Sequence, residues 1–189
     1  MSNNKRLFIA ILPTPETQSK LIQYQKTHLS NLSFHITSQE DLHLTMIFLG
    51  DNKDENIQYI SKAMDTACKK IKPFTLKLET VEYGPTPTHQ RLVWIKGEAN
   101  KELQKLKNEL QEELYSYPDI NFKGEHKGFT PHITLAKIKS KDVELPSAEK
   151  IETKLPLNIS ANSIILFEPT PTKYKHEYTT LYQSYFKKD

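Results

Sequence analysis

The sequence predicts an α+β fold of two similar lobes, each an antiparallel sheet with helices packed outside, with a cleft between them. Short apolar strands alternate with three segments that have helical periodicity. The 189 residues suffice for one domain, or for one domain made of two lobes. A pattern of histidine, aliphatic, threonine and aliphatic residue begins at positions 43 and 132, which leaves room for one lobe around each copy. We therefore expect residues 1–189 to form a single bilobal domain.

The chain opens with a strand and a helix. Residues 6–12 are almost continuously apolar, as in a strand buried on both faces, and Pro13 ends this run. Thr14 is a favourable helix N-cap and Pro15 suits the first helical position, so a helix is expected to about Leu29.

Two further strands precede the second helix. A short edge strand is expected over residues 34–36 and a longer strand over 42–49, which Gly50 ends. Asp51 or Asn52 is placed to cap the helix that follows. Its apolar residues recur at helical spacing: Ile57, Ile60, Met64, Ala67 and Ile71.

The second half repeats the mixture of strands and a helix. Strands are expected over residues 74–81 and 91–96, with a Pro-rich loop over 84–90 between them. Asn100 can cap a third helix with leucines along its buried face. A basic loop then leads into the second copy of the pattern. The remaining segments are a short helix over 143–151 and strands over 155–159, 163–167 and 178–186.

The repeated pattern carries the candidate site. In His43-Leu44-Thr45-Met46, strand alternation places His43 and Thr45 on one face and the two aliphatic residues on the other. His132-Ile133-Thr134-Leu135 places His132 and Thr134 together in the same way. Two such strands facing each other would bring two imidazoles to one bound group, an arrangement suited to acid–base chemistry on a phosphate.

A single His-x-Thr is a weak signal, and the specificity comes from the duplication. A third occurrence, His35-Ile36-Thr37-Ser38, lacks the second aliphatic residue and runs into a polar turn. We interpret this third copy as accidental.

Composition narrows the class of protein. The single cysteine, Cys68, excludes an internal disulfide and a cysteine-based zinc site, and we expect it to be a buried, inert thiol. A zinc site made by His43 and His132 would lack a third ligand at a recognisable spacing. We therefore expect no metal and no cofactor. There is no apolar run of membrane-spanning length and no signal-peptide pattern, so we expect a cytoplasmic protein, and a monomer, without membrane contact.

The positive charge is distributed unevenly between residue types. The net charge of +3 is compatible with a nucleic-acid substrate but too small to imply one. Arg6 and Arg91 are the only arginines among 26 basic residues. Because arginine binds phosphate in a bidentate way that lysine cannot match, Arg91 is a candidate substrate contact. An ordinary surface position remains the alternative.

The motifs resemble those of the 2H phosphoesterase superfamily, and within it the bacterial RNA 2′,3′-cyclic phosphodiesterases, also called the 2′-5′ RNA ligase family. The likeness lies in residues 42–50 (LHLTMIFLG), 91–94 (RLVW) and 129–136 (FTPHITLA). This chain departs from the family at Lys137, where arginine is common, at His35, where tryptophan is common, and at Glu168-Pro169, where Glu-Ser is common. Alternation also places Lys137 on the face opposite His132 unless the strand bulges, and we retain Lys137 as a possible substrate contact.

The resemblance implies metal-independent hydrolysis of RNA 2′,3′-cyclic phosphate ends, those of tRNA fragments included, to 2′-phosphomonoesters. It implies that His43 donates a proton to the leaving 3′-oxygen and that His132 accepts one from water; the residues alone do not distinguish these roles. Thr45 and Thr134 would hold the phosphate oxygens. The same groups would serve reverse 2′-5′ RNA ligation. Alternatives are a phosphodiesterase for small cyclic nucleotides or ADP-ribose cyclic phosphate, and a non-catalytic module that binds RNA ends.

Overall fold

The computed structural model describes residues 4–30, 34–86, 89–124, 129–139, 151, 153–171 and 176–187. Within them lie three α-helices: α1 (Pro15–His28), α2 (Ile57–Cys68) and α3 (Lys101–Tyr115). The strands are β1 (Asn4–Ile11), β2 (Phe34–Ile36), β3 (Leu44–Lys53), β4 (Phe74–Thr86), β5 (His89–Gly97), β6 (His132–Ile138), β7 (Lys154–Ala161), β8 (Ser163–Pro171) and β9 (His176–Tyr185). The expected helix over 143–151 lies outside the described residues, except for its last position.

The strands form two antiparallel sheets. The first sheet has the order β3-β1-β8-β9 and the second has the order β2-β6-β5-β4-β7. One copy of the His-x-Thr pattern lies in each sheet, at the edge strand β3 and at β6. The predicted α+β class with two antiparallel sheets is therefore confirmed. The lobes do not follow the chain order, because the first sheet combines strands from both ends of the sequence.

A common apolar core joins the sheets and the helices. It contains alternate residues of the central strands, such as Ile9 and Ile11 of β1 and Val93 and Ile95 of β5, together with the apolar stripes of the helices. Helix α1 packs on the second sheet, and α2 packs on α3 and on β9 of the first sheet. The opposite faces of the central strands are left to line the cleft.

The helix caps agree with the sequence at two of three places. Thr14 accepts a hydrogen bond from the Thr17 amide at the start of α1, and Asn100 accepts one from the Leu103 amide at the start of α3. The predicted cap of α2 at Asp51 or Asn52 is wrong, because a 3₁₀ turn over Asp54–Asn56 precedes this helix. The Asn52 side chain is instead buried and bonds to backbone and side-chain groups around it.

Gly50 does not end its strand as expected. β3 continues to Lys53, and its register against β1 shifts between the pairs Leu7–Gly50 and Phe8–Phe48. Such a bulge places an extra residue in one strand, and glycine tolerates the positive φ of 69° found at this position. The strand is therefore bent here rather than terminated.

The predicted Pro-rich loop over residues 84–90 is shorter than expected. β4 extends to Thr86 and β5 begins at His89, so that the two strands form a longer hairpin. Cys68 is fully buried, and burial raises the pKa of its thiol to about 11, which agrees with the expected inert thiol.

Candidate active site

The two histidines of the repeated pattern lie close together in the cleft. His43 immediately precedes β3 and His132 is the first residue of β6. These two strands belong to different sheets, yet their Cα atoms approach within 8 Å. The charges of His132 and of Lys137 both act on the imidazole of His43. The structure therefore brings together the two sequence-predicted histidines and the possible substrate contact Lys137.

Both imidazoles are oriented by the same backbone contact. Nδ1 of His43 lies 2.7 Å from the carbonyl oxygen of Asp41, and Nδ1 of His132 lies 2.8 Å from that of Thr130. Each contact joins a histidine to the residue two positions before it. A carbonyl oxygen only accepts hydrogen bonds, so Nδ1 must carry the proton in both rings. Nε2 is thereby left as the atom that exchanges a proton in each case.

His43 lies in an aromatic surrounding. Its ring centroid is 4.9 Å from that of Phe8 and 5.2 Å from that of Tyr178, and Phe167 lies at 6.5 Å. Burial in this surrounding lowers the pKa of His43 to about 4, although the hydrogen bond to Asp41 opposes the shift. The nearby positive groups His132 and Lys137 lower the pKa further. In the free protein His43 is therefore a neutral imidazole near pH 7.

The aromatic residues around His43 form a cluster on the cleft face of the first sheet. We call it the aromatic wall, and it is separate from the main core: Phe8, Ala10, Ile165 and Phe167, with Leu12 and Tyr178 against them. The neighbouring Phe48 is 64% exposed, and its ring lies 6.3 Å from that of Phe8. Beside His43, the cleft thus offers an open aromatic surface.

His132 packs against the indole of Trp94, with ring centroids 4.5 Å apart. Nε1 of Trp94 donates to a carboxylate oxygen of Glu82 at 3.4 Å, and this oxygen also receives Nζ of Lys96 at 2.7 Å. The indole lies directly over Gly84, where a Cβ atom would come within 2.5 Å of the ring. Trp94 is therefore held between the backbone of β4 and the imidazole of His132.

Thr45 and Thr134 lie on the cleft faces of their strands, as alternation predicts. Thr45 pairs with Ala10 of the aromatic wall, and Thr134 pairs with Trp94. Both side chains are half-buried, and neither hydroxyl has a hydrogen bond to a described residue. Each is placed to donate to an oxygen atom of a bound group next to its histidine.

Lys137 reaches the cleft because β6 bulges. The register against β5 pairs Trp94 with Thr134 but Val93 with Ala136, which leaves Leu135 as an extra residue. Lys137 then pairs with Leu92, on the same face as Trp94. Strict alternation, which would place Lys137 opposite His132, is thus wrong for this strand.

A side chain of helix α1 stabilises the bulge through hydrogen bonds. The side-chain amide of Gln25 donates to the carbonyl oxygens of Leu135, at 2.8 Å, and of Thr37, at 2.9 Å. The amide of Thr37 also donates to the Leu135 oxygen. Gln25 is 3% exposed, and its buried side-chain nitrogen is bonded to both carbonyl oxygens.

Arg91 is exposed in β5, opposite a register shift between Gly84 and Pro85. This places its guanidinium at the surface beside the hairpin end, and its contact with substrate stays a prediction.

Sequence reasoning missed three contributors to the site. The aromatic wall combines β1, β8 and β9, and the only sequence signal is the density of aromatic residues in these strands. The carbonyl anchors at Asp41 and Thr130 share the position two residues before histidine, which a comparison of the two copies could have indicated. In the sequence, the only signal at Gln25 is that a polar residue lies beside the apolar stripe of α1.

The described residues also bear on metal sites and on membrane-spanning helices. Among them, no group of three or more His, Cys, Asp or Glu side chains is arranged to hold a metal ion. No helix in the described part of the chain is long and apolar enough to cross a membrane. Metal independence stays a prediction.

Comparisons with known proteins find relatives that cover most of this chain. The RNA 2′,3′-cyclic phosphodiesterase of Archaeoglobus fulgidus is 30% identical over 141 residues, which cover 74% of this chain and 76% of the relative. The protein of the same name from Thermotoga maritima is 25% identical over 191 residues, with 96% and 95% covered.

Solved structures show the same fold. Escherichia coli LigT complexed with 3′-AMP superposes with a TM-score of 0.79 at 22% identity, covering 98% of this chain and all of that one. A protein from Thermus thermophilus gives a TM-score of 0.82 at 23% identity, with 96% and 97% covered. The family model of the 2′-5′ RNA ligase superfamily matches residues 14–170, and with most of its length matched, the chain belongs to this superfamily.

Proposed function

We propose that this protein hydrolyses the 2′,3′-cyclic phosphate at the end of an RNA chain to a 2′-phosphomonoester, without a metal ion. The observation that carries the proposal is the pair of imidazoles, His43 and His132, each fixed through Nδ1 by the carbonyl two residues earlier. The relatives named RNA 2′,3′-cyclic phosphodiesterase support the substrate class.

In the proposed reaction, a water oxygen attacks phosphorus while Nε2 of His132 takes the proton of that water. The bond between phosphorus and the 3′-oxygen breaks on the opposite side, and the Nε2 proton of His43 passes to this oxygen. The assignment of the two roles follows the resemblance to the family. Thr45 and Thr134 donate hydrogen bonds to the non-bridging oxygens, where negative charge increases in the transition state.

The low pKa of His43 has a consequence for this mechanism. A neutral His43 cannot donate a proton to the leaving oxygen, so the donor must become protonated when substrate binds. A cyclic phosphate carries one negative charge, and an opposite charge beside an imidazole raises its pKa. Bound substrate thus favours the protonated form of His43 that cleavage of the substrate requires. Without substrate, the imidazole of His43 is neutral.

The aromatic wall supports a nucleotide as the bound group. The exposed ring of Phe48 offers a face on which a base can stack, a contact worth about 1–3 kcal/mol per base in other proteins. A solved structure of the same fold is a complex with 3′-AMP. The reverse reaction, in which a 5′-hydroxyl replaces water, would use the same two imidazoles and yield a 2′-5′ linkage.

The test is an oligoribonucleotide ending in a 2′,3′-cyclic phosphate, with the product identified by phosphorus NMR against authentic 2′- and 3′-phosphates. We expect only the 2′-phosphate, because the acid is aimed at one of the two ester oxygens. His43→Ala and His132→Ala should each lower turnover about 10²- to 10⁴-fold. His28→Ala is the matched control, since His28 lies exposed on α1.

A 3′-phosphate product would reverse the leaving group, and a mixture would contradict the fixed geometry. Turnover of small cyclic nucleotides but not of RNA would favour the alternative phosphodiesterase. Binding of the RNA end without any turnover would favour a binding module.

A further inference from the structure

The cleft face of the second sheet continues past His132 to its edge strand, β2. Along this face, Thr134 pairs with Trp94 and Lys137 pairs with Leu92, two residues further along β5. At a rise of about 3.4 Å per residue, the backbone of Lys137 lies about 7 Å along the strand from that of Thr134. This spacing is comparable to that of successive phosphates in an extended nucleic-acid strand.

His35 is the outermost residue of this row. β2 pairs with β6 in the register His35–Lys137, so the two side chains stand side by side on one face. Phe34, the preceding residue, is buried in the core, which confirms by alternation that His35 points away from it. The third His-x-Thr copy of the sequence thus places its histidine beside the site.

Both side chains are available for a ligand. His35 and Lys137 are exposed, and neither has an ion pair or side-chain hydrogen bond with another described residue. Lys137 is near enough to the reaction centre for its charge to act on His43. His35 therefore lies next to Lys137, on the neighbouring edge strand of the sheet.

The structure of the substrate indicates which of its groups would lie beside His35 and Lys137. A 2′,3′-cyclic phosphate occupies the last ribose of an RNA chain, so the next phosphate is the diester on the 5′ side of that ribose. An imidazole N–H donates to a non-bridging phosphate oxygen in either protonation state. Lysine supplies charge to the same group.

We propose that His35, with Lys137 beside it, forms a subsite for the phosphodiester that joins the terminal nucleotide to its 5′ neighbour. This inference rests on the proposed function and narrows it: the protein selects RNA chains over cyclic mononucleotides. Gln25 supports the subsite indirectly, because it holds the bulge that turns Lys137 into the cleft.

The experiment compares three substrates of one series. These are a mononucleoside 2′,3′-cyclic phosphate, the dinucleotide with the same terminal base and cyclic phosphate, and that dinucleotide with an uncharged methylphosphonate linkage. The wild-type protein should give the highest kcat/KM with the charged dinucleotide. His35→Ala should lower kcat/KM about 5- to 10-fold for this substrate, the usual effect of losing one ordinary hydrogen bond at an exposed position.

The same variant should leave kcat/KM unchanged for the mononucleotide and for the methylphosphonate dinucleotide. His28→Ala, which removes an exposed histidine on α1, is the matched control and should match the wild-type protein with all three substrates.

Three results would overturn the subsite. Equal losses with mononucleotide and dinucleotide would assign His35 to the reaction centre or to folding. A loss retained with the methylphosphonate would indicate contact with a base. No loss at all would leave His35 outside the binding surface. If wild-type protein turned over none of the cyclic phosphates, the proposed function itself would fail, which is a distinct outcome.

Discussion

Replacing His43 by glutamine should remove much of the pH dependence of folding stability between pH 8 and pH 5. In the folded protein the pKa of His43 is about 4, against an ordinary value of 6.5. As pH falls below 6.5, the unfolded chain takes up a proton at this residue while the folded chain does not. The stability that neutral His43 contributes is complete above pH 6.5 and is lost as pH falls towards 4.

The magnitude follows from the two pKa values. One unit of pKa difference corresponds to about 1.4 kcal/mol, so at pH 5 the unequal proton binding costs the folded state about 2 kcal/mol relative to pH 8. This is an upper value, because the imidazole is half-buried and retains some solvation. Glutamine is similar in size and does not titrate, so the variant lacks this term.

The assay is urea unfolding at pH 8 and at pH 5, followed by far-UV circular dichroism. Each protein is compared with its own stability at pH 8, which cancels any packing change caused by the substitution. His28→Gln removes an exposed histidine and tests whether the effect belongs to position 43. If wild-type protein and His43→Gln lost equal stability between the two pH values, the desolvation of His43 by the aromatic wall would be refuted.

Two further predictions concern the chemistry and the second histidine. Exhaustive dialysis against EDTA should leave turnover of the cyclic phosphate unchanged within error, because the proposed mechanism assigns both proton transfers to the two imidazoles; loss with EDTA and recovery with a divalent ion would contradict this. Gly84→Ala should destabilise the fold by about 1–3 kcal/mol and lower kcat/KM by up to about 100-fold, because the new methyl group would displace the indole of Trp94 that packs on His132. Unfolding curves and kinetics that both match the wild-type protein would show that the indole does not rest on this backbone.

The sequence alone predicted the parts of the fold that depend on local signals. The caps at Thr14 and Asn100 were correct because a capping side chain bonds to an amide only three residues away. The faces of Thr45 and Thr134 were correct because alternation holds over these few residues of each strand. The location of the two histidines in different sheets followed from the wide separation of the two copies.

The failures occur where contacts between distant residues decide the backbone. The bulge in β6 is held by a hydrogen bond between Gln25 and Leu135, which are 110 positions apart. The residues next to Leu135 in the sequence contain no signal that predicts a bulge. The extension of β3 beyond Gly50 depends on pairing with β1, which absorbs the bend as a bulge. Glycine content and strand alternation predict only the local conformation that a segment favours. In these two strands, contacts with distant residues determine a different backbone conformation.

The surroundings of the two histidines likewise depend on distant residues and could not be predicted from the motifs. The copies share one pattern and the same kind of carbonyl anchor, so the pattern alone does not assign them different roles. The difference comes from their neighbours: Phe8 and Tyr178 desolvate His43, whereas the anchoring hydrogen bond of His132 is exposed and its ring contacts Trp94. Acid and base functions are separated when two titratable groups lie in unlike surroundings. In this protein the unlike surroundings are supplied by strands β1, β5 and β9, which lie outside both motifs.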